Sequence, residues 1–257
     1  MAVRLEKQDA IGYVVLDRPP ANSYDPAFVD ELDATIEAAK NDDEVRVIVV
    51  RSASEKFFSA GADVAFFAKS DLAAQTAFVA RANDAMSKLE STPKVVIAAI
   101  NGHCLGGGLE IALCCDFRIA AEGAYKIGLP EVTLGLLPGT GGTQRLPRLI
   151  GRQKALGLML KGTTLSPQDA KDAGIVDEVV PAAELQSRAT ALAQEYATGP
   201  SYARGQIKYA AVQGYGLPLE EGLRAERAAL IRIFKSDDAK EGVKAFVEKR
   251  KPEYRGR

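Results

Sequence analysis

Apolar and polar positions fall into blocks whose period changes along the chain. Residues 2 to 8 and 11 to 17, the second reading "IGYVVLD", predict two strands joined by a short turn at Asp9-Ala10. The stretch "RPPANSYDP" then interrupts the pattern, and Asp25-Pro26 supplies an N-cap and a first helical position. Phe28, Val29, Leu32, Ile36 and Ala39 follow at helical spacing. "VRVIVV" at 45 to 50, apolar but for Arg46, and "VVIAAI" at 95 to 100 have the pattern of strands covered on both faces. A helix-rich segment at about 71 to 90 separates them.

Further on, "FRIA" predicts a short strand, and "GLPEVTLGLLPGTGGTQRL" reads as a loop punctuated by glycine and proline. Ser166-Pro167-Gln168-Asp169 has the form of a helix start, with serine as cap and proline in the first position. From about 184 the pattern is helical, broken at Gly199-Pro200 and near Leu217-Pro218. Strands alternating with helices argue for an α/β core, here placed at residues 1–195, with an α-helical region at 196–257. No internal sequence repeat and no low-complexity segment interrupts this organisation.

Composition narrows the classes. With 47% hydrophobic and 26% charged residues, the chain has the make-up of a globular protein with a sizeable core. A net charge of −1 gives no bulk attraction for nucleic acid or an anionic membrane. The start, "MAVRLEKQDA", lacks a signal peptide's apolar centre and no run is long enough to span a membrane, so a cytoplasmic protein is expected. Cys104, Cys114 and Cys115 share one apolar stretch at spacings that suit neither a disulfide framework nor a zinc site. They read as buried thiols, and no metal ligand set is expected. His103 is the sole histidine and has no nucleophile-elbow motif around it, so it reads as a loop residue. The basic end, "EKRKPEYRGR", is either a solvated terminus or a contact for phosphates.

The candidate chemistry lies in "HCLGGGLEIAL", residues 103 to 113. A strand that feeds a glycine-rich turn and then a helix leaves N–H groups without partners, and glycine lets a ligand come close to them. Such a site suits an oxygen that becomes negative during a reaction, and the helix dipole would keep Glu110 ionised. The alternative is a tight turn whose glutamate merely stabilises its own helix. "SAGAD" (59 to 63) is a second small-residue loop able to expose N–H groups, and "GLPE" (128 to 131) presents another carboxylate, Glu131. Each of these has an ordinary reading too, as a plain loop and a helix start. Neither "GHCLGGGLE" nor "GTGGTQ" matches a phosphate-cradling nucleotide motif.

The segments "FFSAGADV", "KVVIAAINGHCLGGGLEIALCCDFRIA", "LPEVTLGLLPGTGGTQRLPRLIG" and "AFVEKRKPEY", in this order, resemble the crotonase (enoyl-CoA hydratase/isomerase) superfamily over nearly the whole chain. The resemblance implies a spiral of repeated ββα units ending in helices. It also implies reversible syn addition of water to a 2-enoyl-CoA, as in fatty-acid β-oxidation. "LPEVTLGLLPG" is also similar to the hydratase half of multifunctional fatty-acid oxidation proteins. No dehydrogenase half follows, so a stand-alone enzyme is expected.

By the same resemblance, Glu110 and Glu131 match the two catalytic glutamates, and the N–H groups of Ala62 and Gly107 form the oxyanion hole. Ala21, Ala60, Asp63, Val64 and Ala65 lie along the substrate and its CoA, while Phe246 and Lys249 meet the CoA nucleotide. No metal or redox cofactor is implied, coenzyme A being part of the substrate, and the assembly is a homotrimer or homohexamer. The chain departs from the family's Asn-Ala-Leu pattern by reading Asn22-Ser23-Tyr24-Asp25, has Leu129 where many members have glutamine, and has Ala65 where some have lysine. Other enzymes of the fold are the alternatives: enoyl-CoA isomerase, dienoyl or branched-chain acyl-CoA hydratase, thioester hydrolase or dehalogenase. An RNA-binding relative would want a lysine-rich helix, and residues 26 to 40 hold one lysine.

Overall fold

The first two strands, β1 (Val3–Gln8) and β2 (Ile11–Leu16), form an antiparallel hairpin. Its turn places Asp9 at φ 53, a left-handed conformation that a short polar side chain tolerates. The structure, a computed structural model, describes residues 1–256. Helix α1 (Pro26–Asn41) follows, with the Asp25 carboxylate accepting from the Phe28 N–H and proline in the first turn. Its stripe of Phe28, Val29, Leu32, Ile36 and Ala39 is buried, as the spacing predicts.

The chain then proceeds in turns of strand, strand and helix. The first is β3 (Val47–Ser52), β4 (Phe57–Ser59), α2 (Val64–Lys69) and α3 (Leu72–Ser91). The second is β5 (Val95–Ile100), β6 (His103–Leu105) and α4 (Gly107–Leu113). The third is β7 (Phe117–Ala121), β8 (Ile127–Gly128), a 3-10 turn (Glu131–Leu134), α5 (Gly142–Ile150) and α6 (Arg152–Lys161). After these come β9 (Thr164–Leu165), α7 (Pro167–Asp172), β10 (Glu178–Val180) and α8 (Leu185–Ala197).

Each turn sends its first strand to one sheet and its second to another. The six-stranded sheet runs β1-β2-β3-β5-β7-β10 and the four-stranded sheet β4-β6-β8-β9. Pairing is parallel throughout, except at the β1–β2 and β8–β9 edges. This is a crotonase-like ββα spiral whose repeat lies in topology, without repeated sequence.

The α7 start is capped as its sequence predicts, Ser166 Oγ accepting from the Asp169 N–H at 3.1 Å. Two features differ from expectation. Strand β3 begins at Val47, because the Val45 N–H closes the preceding turn onto the Asp42 carbonyl. Helix α5 begins inside the glycine- and proline-rich stretch, for a reason that belongs to the site.

Helix α8 packs on strands of the six-stranded sheet, whereas α9 (Ser201–Tyr215), α10 (Leu219–Lys235) and α11 (Asp237–Val247) pack mainly on one another. These three helices leave Ile207, Leu219, Ile231, Phe234, Val243 and Phe246 exposed. No helix among the described residues is long and apolar enough to cross a membrane.

Candidate active site

Strand β6 is followed by Gly106, whose φ of 54 turns the chain into α4. All residues of α4 are buried, and Glu110 is only 2% exposed. A buried carboxylate needs partners, and Glu110 finds them in the next turn of the spiral. Its Oε1 accepts from the Thr140 N–H at 2.8 Å and the Gly142 N–H at 2.7 Å, and its Oε2 accepts from the Thr140 hydroxyl.

Gly142 is the first residue of α5, so its N–H is one of that helix's unpaired donors. The start of α5 therefore donates to the carboxylate, while Glu110 itself lies in the first turn of α4, as the sequence pattern predicts. Gly141, at φ 113, makes the turn that aims these donors. Burial holds the Glu110 pKa above its ordinary value, although the three donors and the Arg145 charge offset part of the rise. Arg145 also fixes the loop, donating to the Thr140 carbonyl at 3.2 Å and pairing with Glu90 at 2.8 Å.

Glu131 has the opposite surroundings. It opens the 3-10 turn after Pro130, and its Oε2 is buried with no hydrogen-bond partner among the described residues. Its Oε1 faces Gly106, where an added Cβ would come within 3.1 Å of it. Burial, reinforced by the Glu110 charge, raises its pKa to about 7.

The two candidate N–H donors share a cavity with these acids. Around Ala62, Tyr24 N–H donates to the Gly61 carbonyl and Asp63 N–H to the Tyr24 carbonyl, both at 2.9 Å. The Ala62 N–H itself, like that of Gly107, is bonded to no acceptor among the described residues. The two loops are pressed together: a Cβ on Gly61, at φ 86, would lie 2.7 Å from Gly107 N. Gly107 has no room for a side chain either, since its Cβ would overlap the Tyr24 hydroxyl. Ala62, Gly107, Glu110 and Glu131 line one cavity of about 490 Å³ together with Tyr24 and Thr140.

Of the other expected contacts, Ala60 and Val64 line that cavity. Ala21 lies behind it, its carbonyl accepting from the Ala60 N–H at 2.9 Å. Asp63 caps α2 by accepting from the Ala65 N–H at 2.9 Å, so both serve the loop. Phe246 and Lys249 are not brought to the cavity within this chain: Phe246 is 85% exposed at the end of α11, and Lys249 follows it.

Sequence reasoning misses Thr140, Gly142 and Arg145, for which the paired glycines of "GTGGTQ" are the hint, and notes Tyr24 only within the departure from the Asn-Ala-Leu pattern. His103 lies on β6, its Nδ1 accepting from the Lys126 N–H at 3.2 Å. The three cysteines are free and buried, and the Cys114 thiol donates to the Glu110 carbonyl at 3.2 Å. No three His, Cys, Asp or Glu side chains converge as metal ligands among the described residues.

Two N–H donors on one cavity with a fixed carboxylate and a second one whose pKa is raised to about 7 can stabilise an oxyanion while protons are taken and given. Comparison with known proteins agrees with that chemistry. Residues 6–257 match the enoyl-CoA hydratase/isomerase family. A probable enoyl-CoA hydratase of Bacillus subtilis (strain 168) is 38% identical, covering 99% of each chain. The 2,3-dehydroadipyl-CoA hydratase of Escherichia coli (strain K12) is 37% identical over 98% of each. A solved enoyl-CoA hydratase structure from Geobacillus kaustophilus HTA426 superposes with a TM-score of 0.96 at 42% identity, over 100% of this chain and 97% of that one. With its ββα spiral and this arrangement of acids and amides, the chain belongs to the enoyl-CoA hydratase/isomerase family.

Proposed function

We propose that the protein catalyses the reversible syn hydration of a 2-enoyl-CoA thioester to the 3-hydroxyacyl-CoA. The observation that carries this reading is the pair of carboxylates with opposite surroundings on one cavity, Glu110 held by three donors and Glu131 with an unpartnered oxygen. Surroundings that push two acids apart assign them as base and acid.

The thioester oxygen accepts from the N–H groups of Ala62 and Gly107, an arrangement worth about 10²–10³ in rate per donor. Glu110 takes a proton from the water whose oxygen bonds to C3, and the π electrons move onto the thioester oxygen. As the enolate collapses, the Glu131 carboxyl gives its proton to C2. One water has then been added, and proton exchange between the two carboxyls or with solvent restores the starting state. The chemistry asks for no metal or redox cofactor, and coenzyme A arrives as part of the substrate.

The acyl group is apolar. The cavity walls include Phe67, Phe78, Val79, Leu134 and Leu137, and its only charged side chains are Glu110 and Glu131. A distant carboxylate on the acyl chain, of the kind named in the E. coli relative, would meet no cation here. Such a step suits fatty-acid β-oxidation in the cytoplasm, where three free buried thiols remain reduced. The exposed apolar residues of α9–α11 support a homotrimer or homohexamer, in which Phe246 and Lys249 reach the CoA nucleotide at a subunit boundary.

The test is a panel of enoyl-CoA thioesters, followed by loss of the conjugated thioester's ultraviolet absorbance. Straight-chain 2-enoyl-CoA should be converted to the 3-hydroxy product, with deuterium entering C2 in heavy water. Conversion of 3-enoyl-CoA to 2-enoyl-CoA without hydration would instead show an isomerase.

A further inference from the structure

The hydration steps leave the side chain of Tyr24 without a role, although it is one of the largest fully buried groups in the chain. Its ring lies 6.1 Å from that of Phe28 and 5.9 Å from that of Phe78, which an apolar residue would do as well. The hydroxyl is what distinguishes it. It stands 3.3 Å from Thr140 Oγ1 and fills the space over Gly107 where a side chain would begin. Leucine, as in the family's Asn-Ala-Leu pattern, would supply the wall without the hydroxyl.

The direction of these hydrogen bonds follows from counting protons. Thr140 has one hydroxyl proton, and the Glu110 carboxylate is a stronger acceptor than a phenol. Thr140 therefore donates to Glu110 and accepts from Tyr24. A buried hydroxyl without a partner is costly, and Thr140 is the only hydrogen-bond partner of this one among the described residues.

We infer that Tyr24 is a positioning residue for the reaction. By donating to Thr140 Oγ1 it holds the threonine proton on Glu110 and fixes the carboxylate that activates water. The relay runs Tyr24 O–H to Thr140 O–H to Glu110, linking residues 116 positions apart. Burial and then the Glu110 charge keep the phenol protonated, so its donor is always present. This inference rests on the hydratase reading.

A double-mutant cycle between Tyr24 and Thr140 tests it, with crotonyl-CoA as the probe substrate. Tyr24→Phe keeps the ring and its packing and removes only the oxygen. It should lower kcat about fivefold, the scale of one lost hydrogen bond, and leave KM within about twofold. Thr140→Val should lower kcat further, and Thr140→Ser should restore most of it. Adding Tyr24→Phe to Thr140→Val should then change nothing, because the relay is already cut. Two results would overturn the role: multiplied effects in the double variant, or a Tyr24→Phe enzyme with raised KM and unchanged kcat, the behaviour of a plain pocket wall. Wild-type protein that hydrates none of the enoyl-CoA panel overturns the hydratase reading, and this inference with it. An active wild type with an uncoupled cycle overturns the inference alone.

Discussion

The two walls of the cavity carry the same functional group and treat it in opposite ways. On one side, α4, Thr140 and Gly142 are buried, the Glu110 carboxylate has three donors, and the Arg145–Glu90 pair ties the loop down. On the other, the 3-10 turn and the segment after it expose Val132, Leu134, Leu136 and Leu137, and Glu131 keeps an unpartnered buried oxygen. On one wall three donors favour the charged form of Glu110 against its burial. On the other, burial without such donors favours the protonated form of Glu131, whose pKa rises to about 7, beside apolar surface. A carboxylate's chemistry here is decided by what it is denied as much as by what it is given.

The largest expected effect breaks the first wall. Glu110→Gln should lower kcat by about 10³ while acyl-CoA still binds, measured by steady-state hydration of crotonyl-CoA. It should also lower Tm, because the amide oxygen keeps the Thr140 and Gly142 N–H groups only as weaker neutral bonds, and the amide N–H replaces the acceptor that Thr140 Oγ1 donates to, so the threonine must turn its proton away. Glu131→Gln should lower kcat by about 10² without that loss of stability at neutral pH, since its Oε2 has no partner to lose. Equal stability losses in the two variants would erase the contrast between the walls.

A pH series sharpens the contrast. Glu131 must be protonated to act as acid, so kcat/KM for hydration should fall on the alkaline side around its pKa of about 7, and Glu131→Gln should lack that limb. The stability effect has a definite sign. A carboxyl whose folded pKa lies above its ordinary 4.5 binds its proton more tightly when folded. Its contribution is complete below 4.5 and is lost as pH rises through about 7. The Tm of Glu131→Gln should therefore gain on wild type across that window, by about 3 °C after discounting for the open cavity mouth. A gap that shrinks with rising pH would reverse the assignment.

Much of this site was legible in the chain because the carboxylates and the amides lie in short motifs. The apolar runs also reveal β3 and β5, and the Asp25-Pro26 cap reveals α1. What holds the motifs was not legible. Glu110 meets Thr140 at a separation of 30 residues, and no local pattern announces that bond. Strands β4, β6 and β8 have two or three residues each, too few to show a period. Helix α5 looked like loop because glycines precede it, yet those glycines let its first N–H reach Glu110. Gly107 looked open for the thioester alone, whereas Tyr24 also occupies the space beside it.

The smallest rate effect is expected far from both walls. Phe246 and Lys249 reach no part of the cavity in a single chain, and α11 exposes Val243, Phe246 and Val247 together. If a second copy brings them to the CoA nucleotide, Lys249→Ala should raise KM for the CoA ester about fivefold with kcat unchanged, as one lost ionic contact with phosphate would. Oligomer size should stay the same. Phe246→Ala should raise KM in the same way. Deleting residues 243–257 is a blunter test, because the tail is tied to α11: the Asp238 carboxylate accepts from the Arg255 N–H at 2.6 Å and the Gly256 N–H at 2.8 Å. The deletion should raise KM and weaken the oligomer together. The decisive control uses the same ester lacking the adenosine portion, for which Lys249→Ala and wild type should have equal KM. A difference that persists on the shortened ester, or a monomer by light scattering with full activity after the deletion, would place the tail away from the nucleotide.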